Sequence, residues 1–195
     1  MSCDAFNQLV GSLHVFLAPC GTAPPEVQVE PADPWLRFGP TDGGQKIDDS
    51  ATMTYFRDDD HMVPTAVVQS DQTVKIDMTI IGMSLEQQSK IQNSAEKVRD
   101  LVGTTVPTRR MPLKRLVWPQ QYAMLLRGQA LSPYGQYPGQ YYIPRGVFDG
   151  NRTREHTKVG RVSLSVSFNL LEDTEQEHAD DTLGWLDVQT GDPTP

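Results

Sequence analysis

Residues 161–171 read RVSLSVSFNLL, and this stretch is the strongest indication of the fold class. Apolar side chains stand at every second position from Val162 to Leu170, with Arg, Ser and Asn between them. Successive side chains of an extended strand point to opposite faces, so the alternation predicts a strand with one buried and one solvated face. Strands of this kind are typical of antiparallel sheets.

The same pattern recurs upstream between Thr73 and Gly82. Here Val74, Ile76, Met78 and Ile80 alternate with Thr73, Lys75, Asp77 and Thr79. We therefore expect a second half-buried strand, and we expect Ser163, Ser165, Ser167, Lys75, Asp77 and Thr79 to lie on polar sheet faces. Shorter segments of similar character predict five more strands, at Leu13–Pro19, Trp35–Phe38, Leu113–Trp118, Tyr122–Arg127 and Tyr141–Phe148.

One segment predicts a helix. Ser84 can cap it, and Gln87 stands at the reciprocal position of a capping box. The apolar stripe would consist of Leu85, Ile91, Val98 and Leu101, and Gly103 would end the helix. Many short strands with a single helix predict a mainly β fold of two packed antiparallel sheets, a sandwich or barrel, with the helix against it.

A long polar stretch runs from Gly39 to Pro64. Its start, Gly-Pro-Thr-Asp-Gly-Gly, is typical of a turn, and only Ile47, Met53, Tyr55 and Phe56 are bulky enough to anchor it. Loops of this length are functional or else form a hairpin of their own. Two interpretations follow: a functional loop, or a hairpin with residues 51–56 as one strand.

The 195 residues fit one domain, and the net charge of −8 is unevenly distributed. Residues 1–171 carry 17 acidic and 17 basic side chains, whereas residues 172–195 carry eight acids and no Lys or Arg. We therefore divide the chain into a β domain, residues 1–171, and an acidic C-terminal tail, residues 172–195. Such a tail is typical of disorder, although Leu183, Trp185 and Leu186 could dock on a neighbouring surface.

The charges of the β domain are also segregated. Residues 1–60 carry ten acids and three bases, and residues 90–161 carry four acids and thirteen bases. Two unlike patches on one molecule suit head-to-tail stacking of identical copies, although a solvated surface of mixed charge has the same composition.

Catalytic and metal-binding patterns are missing from the sequence. Asp58, Asp59, Asp60 and His61 are metal-ligand types, but consecutive residues point in different directions, and a solvated or subunit-contacting loop is the better interpretation. No HExxH motif, GxSxG motif or phosphate-binding loop occurs, and Cys3 and Cys20 form no metal-ligand spacing. We predict no enzyme activity, no cofactor and no metal site.

Membrane insertion and specific nucleic-acid binding are not expected either. The first residues lack the basic start of a signal peptide, and no apolar run is long enough to span a bilayer. Arginine pairs such as Arg109-Arg110, together with nearby tyrosines, suggest nucleic-acid binding. The net charge of −8 opposes it, because a phosphate backbone would be repelled.

Four stretches resemble the tail tube, or major tail, proteins of long-tailed bacteriophages. They are the opening strand that ends in Ala18-Pro19-Cys20-Gly21-Thr22, the segment 35–44, the strand 74–82 that runs into Ser84-Leu85-Glu86, and the region from Tyr141 through Lys158 to Asp173. The likeness spans residues 13–173 and is one of pattern. The acidic tail with Trp185 departs from the family's core fold.

The resemblance implies a structural role. Copies of the chain would form hexameric rings with an inner β-barrel, and the rings would stack into a tube through which DNA passes. The stretch 39–64 would be the family's stacking loop, which makes Asp48, Asp58, Asp59, Asp60 and His61 candidates for contacts between rings. The implied partners are the tape measure, terminator and baseplate proteins and, in a contractile tail, the sheath. The protein would be made in the bacterial host cytoplasm and reside in the virion tail.

Two other functions fit the same pattern. One is a β-sandwich module for glycan binding or capsid decoration, with the aromatic side chains between Trp118 and Tyr142 as its ligand platform. The other is a tail terminator or baseplate adaptor of similar fold. Oligomeric rings or tubes would favour the tube subunit, and a glycan-binding monomer would favour the sandwich module.

Overall fold

The structure, a computed structural model, describes residues 13–57, 63–94, 98–103, 106–129, 131–135, 137–155 and 162–192. The elements in these residues are β1 (His14–Pro19), β2 (Leu36–Arg37), β3 (Thr41–Phe56), β4 (Ala66–Ile81), α1 (Leu85–Ile91), β5 (Arg99–Leu101), β6 (Thr108–Arg110), β7 (Tyr122–Gly128), β8 (Gly139–Phe148), β9 (Thr153–Glu155), β10 (Ser163–Leu170), a 3-10 turn (Ala179–Asp181) and β11 (Trp185–Val188).

Nine of the strands in the described residues form one antiparallel sheet, and β5 and β6 form a second sheet of two strands. The order across the large sheet is β2-β1-β7-β8-β10-β4-β3, with β11 beside β8 and β9 beside β10. The path ends at β2 on one side and β3 on the other, so the sheet is open. The prediction of a mainly β fold with antiparallel sheets and one α-helix is confirmed.

The large sheet folds over so that its two halves face each other across a hydrophobic core, as in a sandwich. The core side chains are Val15, Leu17, Phe38, Ile76, Met78, Ile80, Ile91, Tyr122, Met124, Leu126, Ile143, Phe148, Leu164, Val166 and Phe168. Those of β4 and β10 are the alternating apolar positions that the sequence marks: Ile76, Met78 and Ile80 lie opposite Phe168, Val166 and Leu164.

Strand β8 carries the chain from one half of this sheet to the other. Its first residues pair with β7 and β11, and its last three, Gly146–Phe148, pair with β10. Pro144 lies at the register shift between these two regions, where its missing amide hydrogen breaks no ladder bond. A Cβ at Gly146 would lie 2.3 Å from Cε1 of Phe168 and 2.8 Å from the Asn169 carbonyl oxygen. A residue without a side chain is therefore required where β8 meets β10.

A second cluster covers the opposite face of β1, β7 and β8. Its buried members are Phe16, Ala18, Trp35, Ala123, Leu125 and Tyr142, with Trp185 packed against them. The proline-rich connector between β1 and β2 lies over this face and is held by side chains that bond its carbonyls. Arg127 donates to the carbonyl of Glu26 at 2.9 Å, Gln140 to that of Pro25 at 2.8 Å, and Tyr142 to that of Thr22 at 2.8 Å.

The predicted helix begins as expected and is much shorter than expected. Ser84 and Gln87 form the reciprocal capping box, with hydrogen bonds of 3.0 and 3.2 Å. The helix ends at Ile91, however, and Asn93 has a left-handed φ of 49° that stops it. The prediction of a helix reaching Gly103 is wrong, and Arg99–Leu101 instead pairs with Thr108–Arg110.

Two further segments have opposite outcomes. Leu113–Trp118 contains no strand: only a single bridge joins Arg115 to Ser94, and the apolar side chains around it stay in solvent. The stretch from Gly39 to Pro64 contains strand β3, so its hairpin interpretation is the correct one. Gly43 and Gly44 both have positive φ and form a bulge within β3, whereas the sequence predicts a turn at this position.

Part of the acidic segment joins the sheet. Trp185–Val188 pairs with Gly139–Tyr142 of β8, and the Trp185 ring lies 4.6 Å from that of Tyr142, centroid to centroid. Trp185 therefore docks on a neighbouring surface, as one of the two interpretations of the acidic segment predicts, and this surface is β8 of the same chain. Outside β11, most acidic side chains of residues 172–181 remain in solvent.

We predict that Gly146→Ala lowers the free energy of unfolding by about 1–3 kcal/mol, because the added methyl group collides with the Phe168 ring and forces β8 away from β10. The matched control is Gly191→Ala, whose Cβ would have nothing within 4 Å. Urea denaturation measures the free energy of unfolding of both variants, and equal m-values make their midpoints comparable. Equal midpoints for the two variants would show that the bend does not require glycine.

Candidate functional site

The most distinctive surface is a β-hairpin that leaves the body of the protein. β3 and β4 have 16 residues each, and we call residues 41–49 and 74–81 their body halves. Only the body half of β4 contributes side chains to the core. Every residue of 50–56 and 66–73 is exposed, and we call these two segments the arm. At about 3.4 Å per residue the arm extends roughly 20 Å from the body. A hairpin of two strands has marginal stability in water, so the arm is anchored by the body halves of its own strands.

The arm exposes large apolar side chains that have no core to enter. The exposed fractions are Met53 47%, Tyr55 62%, Phe56 52%, Val67 54% and Val68 55%. Tyr55 lies opposite Val67, and Thr54 lies opposite Val68, so apolar side chains occupy both faces. Contiguous exposed apolar surface on a folded protein marks an interaction site.

Both edges of the arm are unpaired in the described residues. β3 ends the sheet path along its full length, and β10 pairs with β4 only between Lys75 and Ile81. The backbone amides and carbonyls along both sides of the arm are therefore open to a further strand. Unpaired edges of this length are templates for pairing with another chain.

An apolar groove lies at the base of the arm. Its volume is about 280 Å³, and its walls include Ile47, Val74, Tyr141, Leu170 and Trp185. By alternation along β3, Ile47 shares a face with Met53 and Tyr55. Along this face, the hydrogen-bonded pair Asp49 and Gln72, 3.1 Å apart, lies between the apolar groove and the apolar side chains of the arm.

The other face of the β10 and β4 pair is polar, as the alternation predicts. Ser165 lies opposite Thr79, with their hydroxyls 3.1 Å apart, and Ser167 donates to Asp77. Lys75 lies 3.6 Å from Asp77 and 3.7 Å from Asp48. Acidic and basic groups on this face are therefore paired with each other, and the face presents hydroxyls and compensated charges to water.

Of the predicted contact residues, only Asp48 lies within the described part of the chain. It stands on the body half of β3, between Lys46 at 3.0 Å and Lys75 at 3.7 Å. The hydrogen bond from Lys46 holds the pKa of the Asp48 carboxyl below its usual value. Asp58, Asp59, Asp60 and His61 lie outside the described residues, and their role in contacts between copies stays a prediction.

The expected aromatic platform between Trp118 and Tyr142 does not form as a unit. Trp118 is 85% exposed, but Tyr122 and Tyr142 are buried on opposite faces of the sheet. Burial raises the pKa of both tyrosines to about 12. Side chains that serve the two cores cannot also stack on a ligand, so Tyr122 and Tyr142 are not part of such a platform. Ligand binding by the other aromatic side chains of the segment stays a prediction.

The described residues contain neither a metal-binding cluster nor a membrane-spanning helix. Nowhere in the described ranges do three or more His, Cys, Asp or Glu side chains converge as metal ligands. No helix there has the length and apolar character to cross a bilayer.

The sequence indicates only half of the arm. Met53, Tyr55 and Phe56 stand out in a polar stretch, but Val67 and Val68 lie in a segment without period-two alternation. The signal that could have identified them is the pair of adjacent β-branched residues, which favours a strand without indicating a buried face.

Known proteins supply no assignment for these surfaces. Neither a protein-family model nor a curated protein matches the chain. The arm, the groove and the polar face are the surfaces that bear on function.

We predict that amide hydrogens of the arm exchange much faster than those of β7 when the chain is monomeric. The arm lacks a core and opens locally, whereas β7 is buried on both faces and opens only with the whole protein. Hydrogen exchange followed by mass spectrometry, at dilutions where sedimentation reports a monomer, measures the difference. Arm amides protected as strongly as those of β7 under these conditions would contradict an unsupported hairpin.

Proposed function

We propose that the chain is a non-catalytic structural subunit of a bacteriophage tail tube. Copies associate into rings, hexameric in the resembled family, and the rings stack around a channel for DNA. The chain acts by assembling with itself and with the proteins at the ends of the tube, in the tail of the virion. The observation that carries this proposal is the arm, whose apolar side chains and strand edges have no partner within the described chain.

The arm suits a second copy better than a small ligand. It is a convex projection, whereas small molecules bind in concave sites. A second copy offers both kinds of complementary surface at once: free strand edges that can continue a sheet, and an apolar groove that can receive apolar side chains.

The energetics favour a repeated contact over an isolated pair. Burying the remaining exposed area of five half-exposed side chains yields on the order of 4–7 kcal/mol. Association costs about 4–15 kcal/mol in lost freedom, so one arm contact holds two copies weakly. In a closed ring each copy makes two such contacts, and the ring is far more stable than a pair.

The polar face of β10 and β4 supports the channel part of the proposal. A lining for passing DNA has to be hydrated and without a strong net positive charge, because fixed cations would retain the polyanion. Ser165, Thr79 and Ser167 present hydroxyls there, and Lys75 is compensated by Asp48 and Asp77.

A tail terminator or baseplate adaptor would share the arm and is the main alternative. The glycan-binding or decorating module is less favoured, because two of its platform tyrosines are buried. The length of the assembled product separates the first two: a tube subunit forms stacks of many rings, and a terminator forms one ring.

The test is to remove the arm without disturbing the body. Ser50 lies opposite Thr73, so an Asn-Gly dipeptide in place of residues 51–72 can close the shortened hairpin as a type I′ turn. We predict that this variant folds and unfolds at the same urea concentration as the native chain. We also predict that it no longer forms rings or tubes. Sedimentation velocity and negative-stain electron microscopy measure assembly.

The matched control is Val29→Ser, which removes an apolar side chain of similar exposure, 52%, from the connector. It should assemble like the native chain. Rings or tubes formed by the armless variant would refute the assigned role of the arm.

A further inference from the structure

Three arginine side chains converge on a small cavity at one end of β10. Arg115, Arg152 and Arg154 line a cavity of about 230 Å³ together with Gln88 and Gln92 at the end of α1. Arg154 stands opposite Leu164 in the β9–β10 ladder, which places the cavity at the start of β10. We call these three residues the arginine cluster.

Arg152 is the unusual member. Its Nε, Nη1 and Nη2 atoms are buried, and none has a hydrogen-bond partner in the described residues. The other two are satisfied in part: Arg115 donates to the Gly150 carbonyl at 2.5 Å, and Arg154 donates to Oε1 of Gln88 at 3.0 Å. Buried guanidinium groups in folded proteins are normally paired, so Arg152 indicates a missing acceptor.

The chemistry of the cluster selects the class of that acceptor. Burial, with the charge of Arg115 in addition, lowers the pKa of Arg152 to about 10, and Asp149 offsets only part of this. The group therefore remains a cation at neutral pH in an environment that disfavours cations. A guanidinium presents a planar fork of donors that matches a carboxylate or a phosphate.

The chain contains such carboxylates at the other end of the same strand. Residues 172–181 follow the end of β10 and hold six acids and no Lys or Arg. Glu172, Glu175, Glu177 and Asp180 are exposed, whereas Asp173 is buried and bonded to Gln176. Leu164 and Leu170 are six residue steps apart, so the strand separates the two charged ends by roughly 20 Å within one molecule.

We propose that the arginine cluster binds carboxylates of residues 172–181 from a second copy of the chain. Opposite charges at opposite ends of one strand give a head-to-tail contact, the kind that builds open stacks. The inference rests on the proposed function and names a contact between copies that is separate from the arm.

The test uses the full-length chain and a labelled synthetic peptide of residues 172–181. Fluorescence anisotropy at about 0.15 M salt, where weak surface attraction is screened, should show binding. We expect Arg152→Met to weaken it by about 30-fold, since one partner of a buried charge pair is lost. Arg110→Gln is the control, because it removes an equal charge from exposed β6. A peptide with its acids replaced by the corresponding amides should not bind.

The stability of the monomer distinguishes a binding role of Arg152 from a purely structural one. If Arg152 only supported the fold, its replacement would make the monomer unfold at a lower urea concentration. Arg152→Met removes an unpaired buried cation and keeps an apolar stem, so the monomer should unfold at the same or a higher urea concentration while it loses peptide binding. A variant that unfolds earlier would assign Arg152 to the fold and overturn the inference. Binding of inorganic phosphate through Arg152 without binding of the peptide would overturn it as well.

Self-association of the native chain separates this inference from the proposed function. Native rings or tubes with no peptide binding overturn the inference and leave the proposed function standing. A native chain that stays monomeric at high concentration, yet binds the peptide through Arg152, overturns the proposed function and retains acidic-peptide recognition by the cluster.

Discussion

The contact of Phe168 with Gly146 is the constraint on which the rest of the molecule depends. It allows β8 to leave β7 and join β10, so that one sheet folds into two facing halves. The two hydrophobic clusters bury the apolar faces of the folded part of the sheet. These faces belong to β1, β7, β8, β10 and the body half of β4. The rest of β4 and β3 has no opposing layer, and the arm is the consequence. The projecting surface and the packed core are thus two outcomes of the same strand pairing.

Much of this could be predicted from the sequence, and the limits have physical causes. Alternation identified β4 from Thr73 onward and β10, because one face of each is buried and the other is wet. The capping box located the start of α1, since it is a local interaction. The end of α1 differs from the prediction because Asn93, well before Gly103 in the chain, already adopts a left-handed conformation. The apolar composition of Leu113–Trp118 predicts a strand, yet a single bridge to Ser94 is its only ladder contact in the described residues.

The candidate site was harder to predict than the fold. A strand exposed on both faces has no alternation of apolar and polar residues, so Val67 and Val68 do not stand out by periodicity. The sequence therefore leaves the hairpin as one of two interpretations. The arginine cluster draws its members from two separate parts of the chain: Arg152 and Arg154 are two positions apart, and only the fold brings Arg115 to them. Sequence spacing carries no information about such a convergence. The sequence shows that acids and bases are segregated along the chain. It does not show which of these groups lie at which end of a strand.

A long apolar arm with free edges faces a conflict between specific assembly and indiscriminate aggregation. Its sequence limits the second outcome. Asp49 and Asp71 place negative charge along the arm and its base, and like charges oppose edge-to-edge pairing of two arms. The irregularity between Thr52 and Met53 increases the local twist, and a twisted edge is a poor template for a flat stack. A partner surface that is mainly apolar and shaped to the twist is then favoured over another arm. The groove at the base of the arm has Tyr141, Leu170 and Trp185 in its walls, and its one acid, Asp49, is hydrogen-bonded to Gln72. The same chain therefore carries both the projecting element and a mainly apolar surface suited to receive it.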